Sequence, residues 1–361
     1  MSLPEVTRRM FEASDKKRDA GLTTPEDIVR FDDIKYGGYG RWNLLDVYRP
    51  KKETVINMDD HINGSQKKLP VIVSVHGGGW VYGDKDVYQH YCMSLASRGF
   101  AVVNYTYRLA PEDKFPASLY DTDAVFRWIY ENADYYGLDT DNVYAVGDSA
   151  GANLLAIYIN LINDSSYVEK LNNYIYTEIN KKPDIKPDIK TDIKTDIKPD
   201  IKPGTPLLNE SVVEADYIND KDINDNDAVF KPQENIKIKA VALNCGKYSF
   251  EVEKENKGLK DIVNFLFVND GTAEELDLID VIAHACEKFP PAFIMTATGD
   301  FLLKEAGKLC RRFEELGVPF EYHFYSEGDN PLGHVFHCNM RLYIAHVCND
   351  EECSFFRKYM R

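Results

Sequence analysis

Apolar residues in this chain fall into short unbroken runs separated by stretches of helical period. Val71-Ile72-Val73-Ser74-Val75, Phe100 to Tyr105, Val143 to Val146, Ile238 to Asn244, Phe293 to Thr298 and Phe320 to Tyr325 all have strand length. Continuous runs of this kind suit strands covered by helices on both faces; a half-exposed sheet would show alternation instead. Between them, Tyr88 to Ser97, Pro116 to Tyr136 and Lys304 to Leu316 carry helical spacing, with Gly99 and Gly317 as stops. Upstream, Ile34 to Tyr36 and Asn43 to Tyr48 read as a hairpin across Gly37, Gly38 and Gly40. Residues 4 to 31 read as one or two amphipathic helices, with Thr24-Pro25-Glu26-Asp27 as a helix start. Strand and helix alternate thereafter, which predicts an α/β fold around a mostly parallel sheet.

Residues 163 to 235 break the rhythm. Pro183-Asp184-Ile185-Lys186 recurs in four further copies as far as Lys202, and Pro187 and Pro199 each remove a backbone donor, so an extended low-complexity insertion is expected. A helix that begins on the carboxyl edge of a parallel sheet must reach the opposite edge before the next strand starts. The insertion is therefore expected to hang from the edge away from the chemistry and not to act as a lid.

At 361 residues the chain can bury a large core, and one catalytic domain with additions is the expectation. A net charge of −16 argues against nucleic-acid binding, which needs clustered Lys and Arg. Seven cysteines without paired metal or redox spacing read as reduced thiols. Residues 1 to 15 lack the apolar core of a secretory signal, and no segment is long enough to span a bilayer, so a cytoplasmic protein is expected.

The strand at Val143 to Val146 ends in Gly147-Asp148-Ser149-Ala150-Gly151, and a helical stretch follows. G-x-S-x-G in that context is a sharp strand-to-helix turn that presents the serine hydroxyl as a nucleophile. Such a hydroxyl needs a base, and the base needs an orienting carboxylate. His334 lies in a Gly/Pro/Asn loop after the strand Phe320 to Tyr325, where a base can reach the serine; His337, a helical turn further in, is the main competitor, His346 lies further still, and His323 reads as structural. Asp300 directly follows an apolar strand and reads as the acid, with Glu305 and Asp329 as alternatives. His76-Gly77-Gly78-Gly79-Trp80 follows the strand at Val71. The Gly77 and Gly78 amides, with that of Ala150, are expected to form an oxyanion hole, supported by His76, Gly79 and Asp148. Trp80, Tyr82, Tyr107 and Phe336 are candidates for an apolar substrate pocket, although most of the 44 aromatic side chains must serve the core.

Together with Tyr107 to Glu112, Phe115-Pro116-Ala117, Asp300-x-Leu302 and His334-x-Phe336, these motifs resemble the hormone-sensitive-lipase-like carboxylesterases of the α/β-hydrolase superfamily. The resemblance covers roughly residues 45 to 165 and 236 to 345. It implies an α/β-hydrolase fold with an eight-stranded, mostly parallel sheet, helices on both faces and a small helical cap, and hydrolysis of short-chain esters without cofactor or metal. The cap candidates are residues 1 to 31 and about 249 to 289, with 32 to 361 as the catalytic domain. Glu112 is implied as support for the loop beneath the oxyanion glycines. Ala152 replaces a frequent glycine, Phe301 and Lys304 replace a proline and an aspartate, and the insertion has no counterpart. A small-molecule ester is the implied partner. Amide or formamide hydrolysis, sugar deacetylation and a non-catalytic ligand-binding role remain alternatives on the same scaffold. Neither the natural substrate nor the oligomeric state follows, a homodimer being one option.

Overall fold

The computed structural model describes residues 2–53, 67–181, 229–233, 236–250, 257–329 and 331–361. Eight strands form one sheet: β1 Ile28–Lys35, β2 Leu44–Pro50, β3 Leu69–Val75, β4 Ala101–Tyr105, β5 Leu138–Asp148, β6 Ile238–Asn244, β7 Ala292–Ala297 and β8 Phe320–Tyr325. Their order is β1-β2-β4-β3-β5-β6-β7-β8. The β1–β2 and β2–β4 pairs are antiparallel and all others parallel.

The apolar runs become central strands because successive side chains feed two separate cores. Val71, Val73 and Val75 of β3 face the layer that holds Leu155 and Ile159 of the helix Ala150–Asn163 and Leu309 and Phe313 of the helix Leu303–Leu316. Ile72 faces the opposite layer, with Tyr91 and Leu95 of the helix Lys85–Ser97 and Phe355 and Phe356 of the C-terminal helix Tyr343–Arg357. A strand buried on both faces has no polar positions to alternate. Among the described residues no helix is long and apolar enough to cross a membrane.

The N-terminal segment departs from expectation. A single helix, Leu3–Asp19, is capped by Ser2 with Glu5 in a capping box, and Thr24 to Asp27 start no helix. Residues 28 to 31 instead belong to β1, where Ile28 pairs with Pro50 and Phe31 with Val47. Thr-Pro followed by acids suits a turn as well as a helix start, and pairing with β2 decides between them. Residues 257 to 284 hold three short helices, Lys257–Leu266, Ala273–Asp277 and Val281–His284.

The insertion also begins later than expected and from a different place. The DIK repeats at 183 to 202 lie outside the described residues, but Ser165–Lys181 is a helix that turns back along the elbow helix. Its Tyr167 hydroxyl donates to Leu278 O (2.6 Å) and its Tyr174 hydroxyl to Glu275 Oε1 (2.7 Å). Asn172 accepts from Phe230 N–H and donates to Phe230 O, while the Phe230 ring packs on Tyr120. Tyr120 lies in the first turn of the helix Ala117–Glu131, which starts at the carboxyl edge of the sheet. Gln233 N–H then donates to Asp123 and Lys237 N–H to Tyr130, leading down that helix to β6. The residues that bracket the insertion are thus on the carboxyl-edge half. The premise that it leaves from the far edge fails because Ser165–Lys181 carries the chain back.

One buried acid ties the C-terminal helix to the sheet edge. Glu352 accepts from the Tyr91 hydroxyl (2.9 Å) and from Asn244 Nδ2 (3.0 Å) at the end of β6. Burial raises its carboxyl from 4.5 to about 7, more than these hydrogen bonds lower it. A raised acid pKa means that the folded state binds the proton more tightly than the unfolded chain. Stability contributed by the protonated form is therefore complete below about pH 4.5 and lost as pH rises through about 7. The shift corresponds to about 3 kcal/mol. Glu352→Gln should accordingly raise the urea midpoint relative to the parent at pH 8 more than at pH 5; a pH-independent difference would contradict the assignment.

Candidate active site

The site stands where neighbouring strands stop level with one another. Val75 pairs with Gly147 and Gly147 with Leu243, so His76, Asp148 and Asn244 come next on three adjacent strands. Ser149 follows with φ 53° and ψ −117°, a left-handed conformation that a residue with a Cβ adopts only under constraint. The constraint is visible on both sides. Ser149 N–H donates to Asn244 O at 2.9 Å, and a Cβ on Gly151 would lie 2.1 Å from Val75 O, so only glycine lets the helix enter here. Ala152 is fully buried without disturbing the turn.

The acid and histidine loops are laced together beyond β7 and β8. Gly299 N–H donates to Leu332 O (2.7 Å), and Leu332 N–H donates to Thr298 Oγ1 (3.0 Å). Across this bridge His334 Nδ1 donates to Asp300 Oδ1 at 2.7 Å. Asp300 also accepts from Thr296 Oγ1 (2.7 Å) and from the Leu302 amide (2.9 Å). Burial alone would raise its carboxyl, but the His334 contact and these hydrogen bonds outweigh it and hold Asp300 below the usual carboxylate range. Asp300 is therefore ionised and can stabilise a charged imidazole. With Nδ1 engaged, Nε2 is the nitrogen left for a substrate proton. Among the described residues Ser149 and His334 share no hydrogen bond, as is common where no substrate is bound.

The competitors have structural partners. Glu305 accepts from the Tyr248 and Ser249 amides and from Lys308. His337 is buried, pushed down to about 3 by burial, and set edge-on to Tyr91. His323 bonds Glu351 and His346 bonds Met340 O. Asp329 is exposed.

The glycine loop differs from expectation at one residue. Gly77 N–H donates to the Tyr88 hydroxyl (2.9 Å), which donates in turn to Asp148 Oδ2 (2.7 Å). Gly77 is buried, whereas Gly78 and Gly79 are partly open, with φ of 117° and 61°. Among the described residues the Gly78, Gly79 and Ala150 amides have no protein acceptor. Asp148 is a buried carboxyl raised by burial to about 6. His76 stacks on Tyr107 at 4.0 Å and is pushed down to about 4, mainly by burial, so it is neutral. Its Nδ1 faces Gly77 O at 2.8 Å and therefore carries the proton.

Of the four pocket candidates, Tyr107, Phe336 and Trp80 are core residues. Tyr107 is buried beneath His76 and donates to His76 O (2.7 Å); Phe336 is buried against Tyr325. Trp80 is buried with its ring 6.2 Å from Phe250, and Tyr82 faces the N-terminal helix through Asp15 and Phe11. Glu112 holds Arg8 of that helix in a two-pronged ion pair (2.6 and 2.7 Å) instead of reaching the glycines itself. Tyr88, Cys245 and Phe301 were not expected here. Cys245 was findable, since Asn244-Cys245-Gly246 ends an apolar strand just as Gly299-Asp300 does; nothing in the sequence marks Tyr88.

Two trios bring metal-ligand atoms within 4.8 Å of one another, Cys245 with Asp300 and His334, and Asp148 with His337 and Cys338. Neither suits a cation. Burial pushes both thiols well above their usual range, and the Arg18 guanidinium acts on the second trio.

Comparison with known proteins agrees with this fold. The BD-FAE family model matches residues 58–200. Carboxylesterase NlhH of Mycobacterium tuberculosis (strain CDC 1551 / Oshkosh) is 42% identical over 97 residues, 27% of this chain and 30% of that protein. Putative alpha/beta hydrolase R526 of Acanthamoeba polyphaga mimivirus is 31% identical over 122 residues, 32% of this chain and 35% of that one. The chain thus spans about a third of the length of these curated relatives. Esterase B from Lactobacillus Rhamnosis superposes with a TM-score of 0.71 at 20% identity over 99% of this chain and 93% of its own. The thermostable carboxylesterase EstE1, cloned from a metagenomic library, gives 0.63 at 19% identity over 100% and 98%. Likeness at such identities speaks to fold rather than reaction, and on that footing the chain is an α/β-hydrolase-fold protein whose sequence is similar over part of its length to carboxylesterases.

Proposed function

We propose that this protein is a serine hydrolase that cleaves short-chain carboxylic esters through an acyl-enzyme. The observation that carries the reading is the His334–Asp300 hydrogen bond at 2.7 Å, on loops tied to the sheet edge that holds the strained Ser149. The Ser149 Oγ attacks the ester carbonyl as His334 Nε2 takes its proton. The carbonyl oxygen becomes an anion, and the open Gly78, Gly79 and Ala150 amides are the donors suited to receive it. Gly79 takes the part first expected of Gly77, whose amide is spent on Tyr88. His334 then gives its proton to the leaving alkoxide, which departs as the alcohol and leaves Ser149 acylated. Water attacks the acyl carbon with His334 again as base, releasing the carboxylic acid and restoring Ser149. Asp300 stays ionised throughout and steadies the imidazolium. Seven free cysteines, five of them buried, support a reducing cytoplasmic setting.

Tyr88 acts in this reading as a positioning residue. By accepting from Gly77 it fixes the height of the glycine loop above the elbow, and Asp148 holds its hydroxyl in place.

Ser149→Ala should lower hydrolysis of p-nitrophenyl acetate by at least about 10⁴-fold and abolish labelling by a fluorophosphonate. Asp300→Asn should cost about as much, with labelling slowed. Wild-type turnover in Ser149→Ala sinks the reading. Tyr88→Phe should lower kcat about tenfold with KM nearly constant, less than the 10²–10³ of losing a direct donor. An effect on KM alone, or on melting temperature alone, removes Tyr88 from the oxyanion geometry.

A further inference from the structure

Phe301 is an apolar side chain left in water at the site. It is 71% exposed, the second most exposed of the large hydrophobic side chains described, after Tyr343. Its ring lies 4.3 Å, centroid to centroid, from the His334 imidazole at an angle of 43°. The backbone there is not free to swing. Asp300 Oδ1 accepts from Leu302 N–H at 2.9 Å, and Leu303 N–H donates to Asp300 O at 3.1 Å, so Phe301 is the middle of a turn pinned on both sides. The acid that orients His334 therefore also sets where Phe301 stands.

Nδ1 of His334 is engaged by Asp300, so the proton for the leaving group comes from Nε2. The alkoxide oxygen must come within hydrogen-bond reach of Nε2, and its carbon substituent extends along the histidine side of the site. The acyl chain and the oxyanion point elsewhere, the latter toward Gly78 and Gly79. A ring resting against the imidazole and open to solvent offers an unmatched apolar face beside the histidine. Lys304, three residues on, is exposed as well.

We propose that Phe301 is a specificity-determining residue which forms the alcohol-side wall of the site and selects esters of aromatic or bulky apolar alcohols over esters of small ones. This rests on the ester-hydrolase reading above. The test holds the acyl group and leaving-group acidity constant by comparing benzyl acetate with methyl acetate, whose alcohols are nearly equal acids. In the full chain, kcat/KM for benzyl acetate relative to methyl acetate should fall about three- to tenfold in Phe301→Ala and be kept in Phe301→Trp. A ratio unchanged in Phe301→Ala, or equal losses on both esters, overturns the proposal while the hydrolase reading stands. If the parent hydrolyses neither ester and a fluorophosphonate fails to label Ser149, the reading falls and this proposal with it.

Discussion

The site depends on one close approach of backbones, where the helix Ala150–Asn163 is driven against the end of β3. A Cβ on Gly151 would meet Val75 O at 2.1 Å and His76 O at 2.5 Å, and one on Gly147 would meet Gly151 O at 2.7 Å. Any side chain at these points would force the helix outward, a change that in packed interiors costs about 1–3 kcal/mol. With glycine there, Ser149 is held at φ 53° beside the glycine loop, and the first free amides of the helix open on the same spot. The parallel register does the rest. Because β3, β5 and β6 end level, the loops that follow them meet without long excursions.

Holding such an edge has a cost, and it appears as buried carboxyls. Asp148 and Glu352 are both raised by burial, to about 6 and about 7. Each ties into a backbone element at the carboxyl edge: Asp148 reaches the glycine loop through Tyr88, and Glu352 reaches the end of β6 through Asn244. Asp300 is also buried but has the opposite sign, because three donors converge on it. Environment, not residue type, therefore separates an acid kept close to neutrality from one kept charged.

The parts legible in the sequence are those governed by local rules. Doubly buried strands must be apolar throughout, so the central strands could be read within a few residues; Ser149 and Asp300 stood out as polar residues just past strand ends, and His334 in the loop after the last strand. What stayed hidden depends on residues far apart in the chain. Tyr88 meets Asp148 across sixty positions and takes the Gly77 amide across eleven, and only the second contact shows which of three consecutive glycine amides is consumed. β1 exists because β2 is there to pair with it, whatever Thr24-Pro25-Glu26 suggests alone. The route around the insertion likewise follows from the packing of Tyr167, Asn172 and Tyr174, not from composition.

Arg8 joins these levels. From the N-terminal helix its guanidinium donates to Val81 O (2.6 Å) and Ala110 O (2.9 Å) while pairing with Glu112. Val81 closes the glycine loop through its own amide bond to Gly78 O, and Ala110 N–H donates to Trp80 O. One side chain thus bridges the end of the glycine loop and the Ala110 segment that bonds to it. An exposed ion pair contributes little to stability by itself, but hydrogen bonds from a guanidinium to two carbonyls fix relative position. The N-terminal helix is therefore more than a cover. Its attachment through Arg8 ties the glycine loop to a segment nearly seventy residues earlier in the chain, a contact that no reading of His76 to Trp80 in isolation reveals.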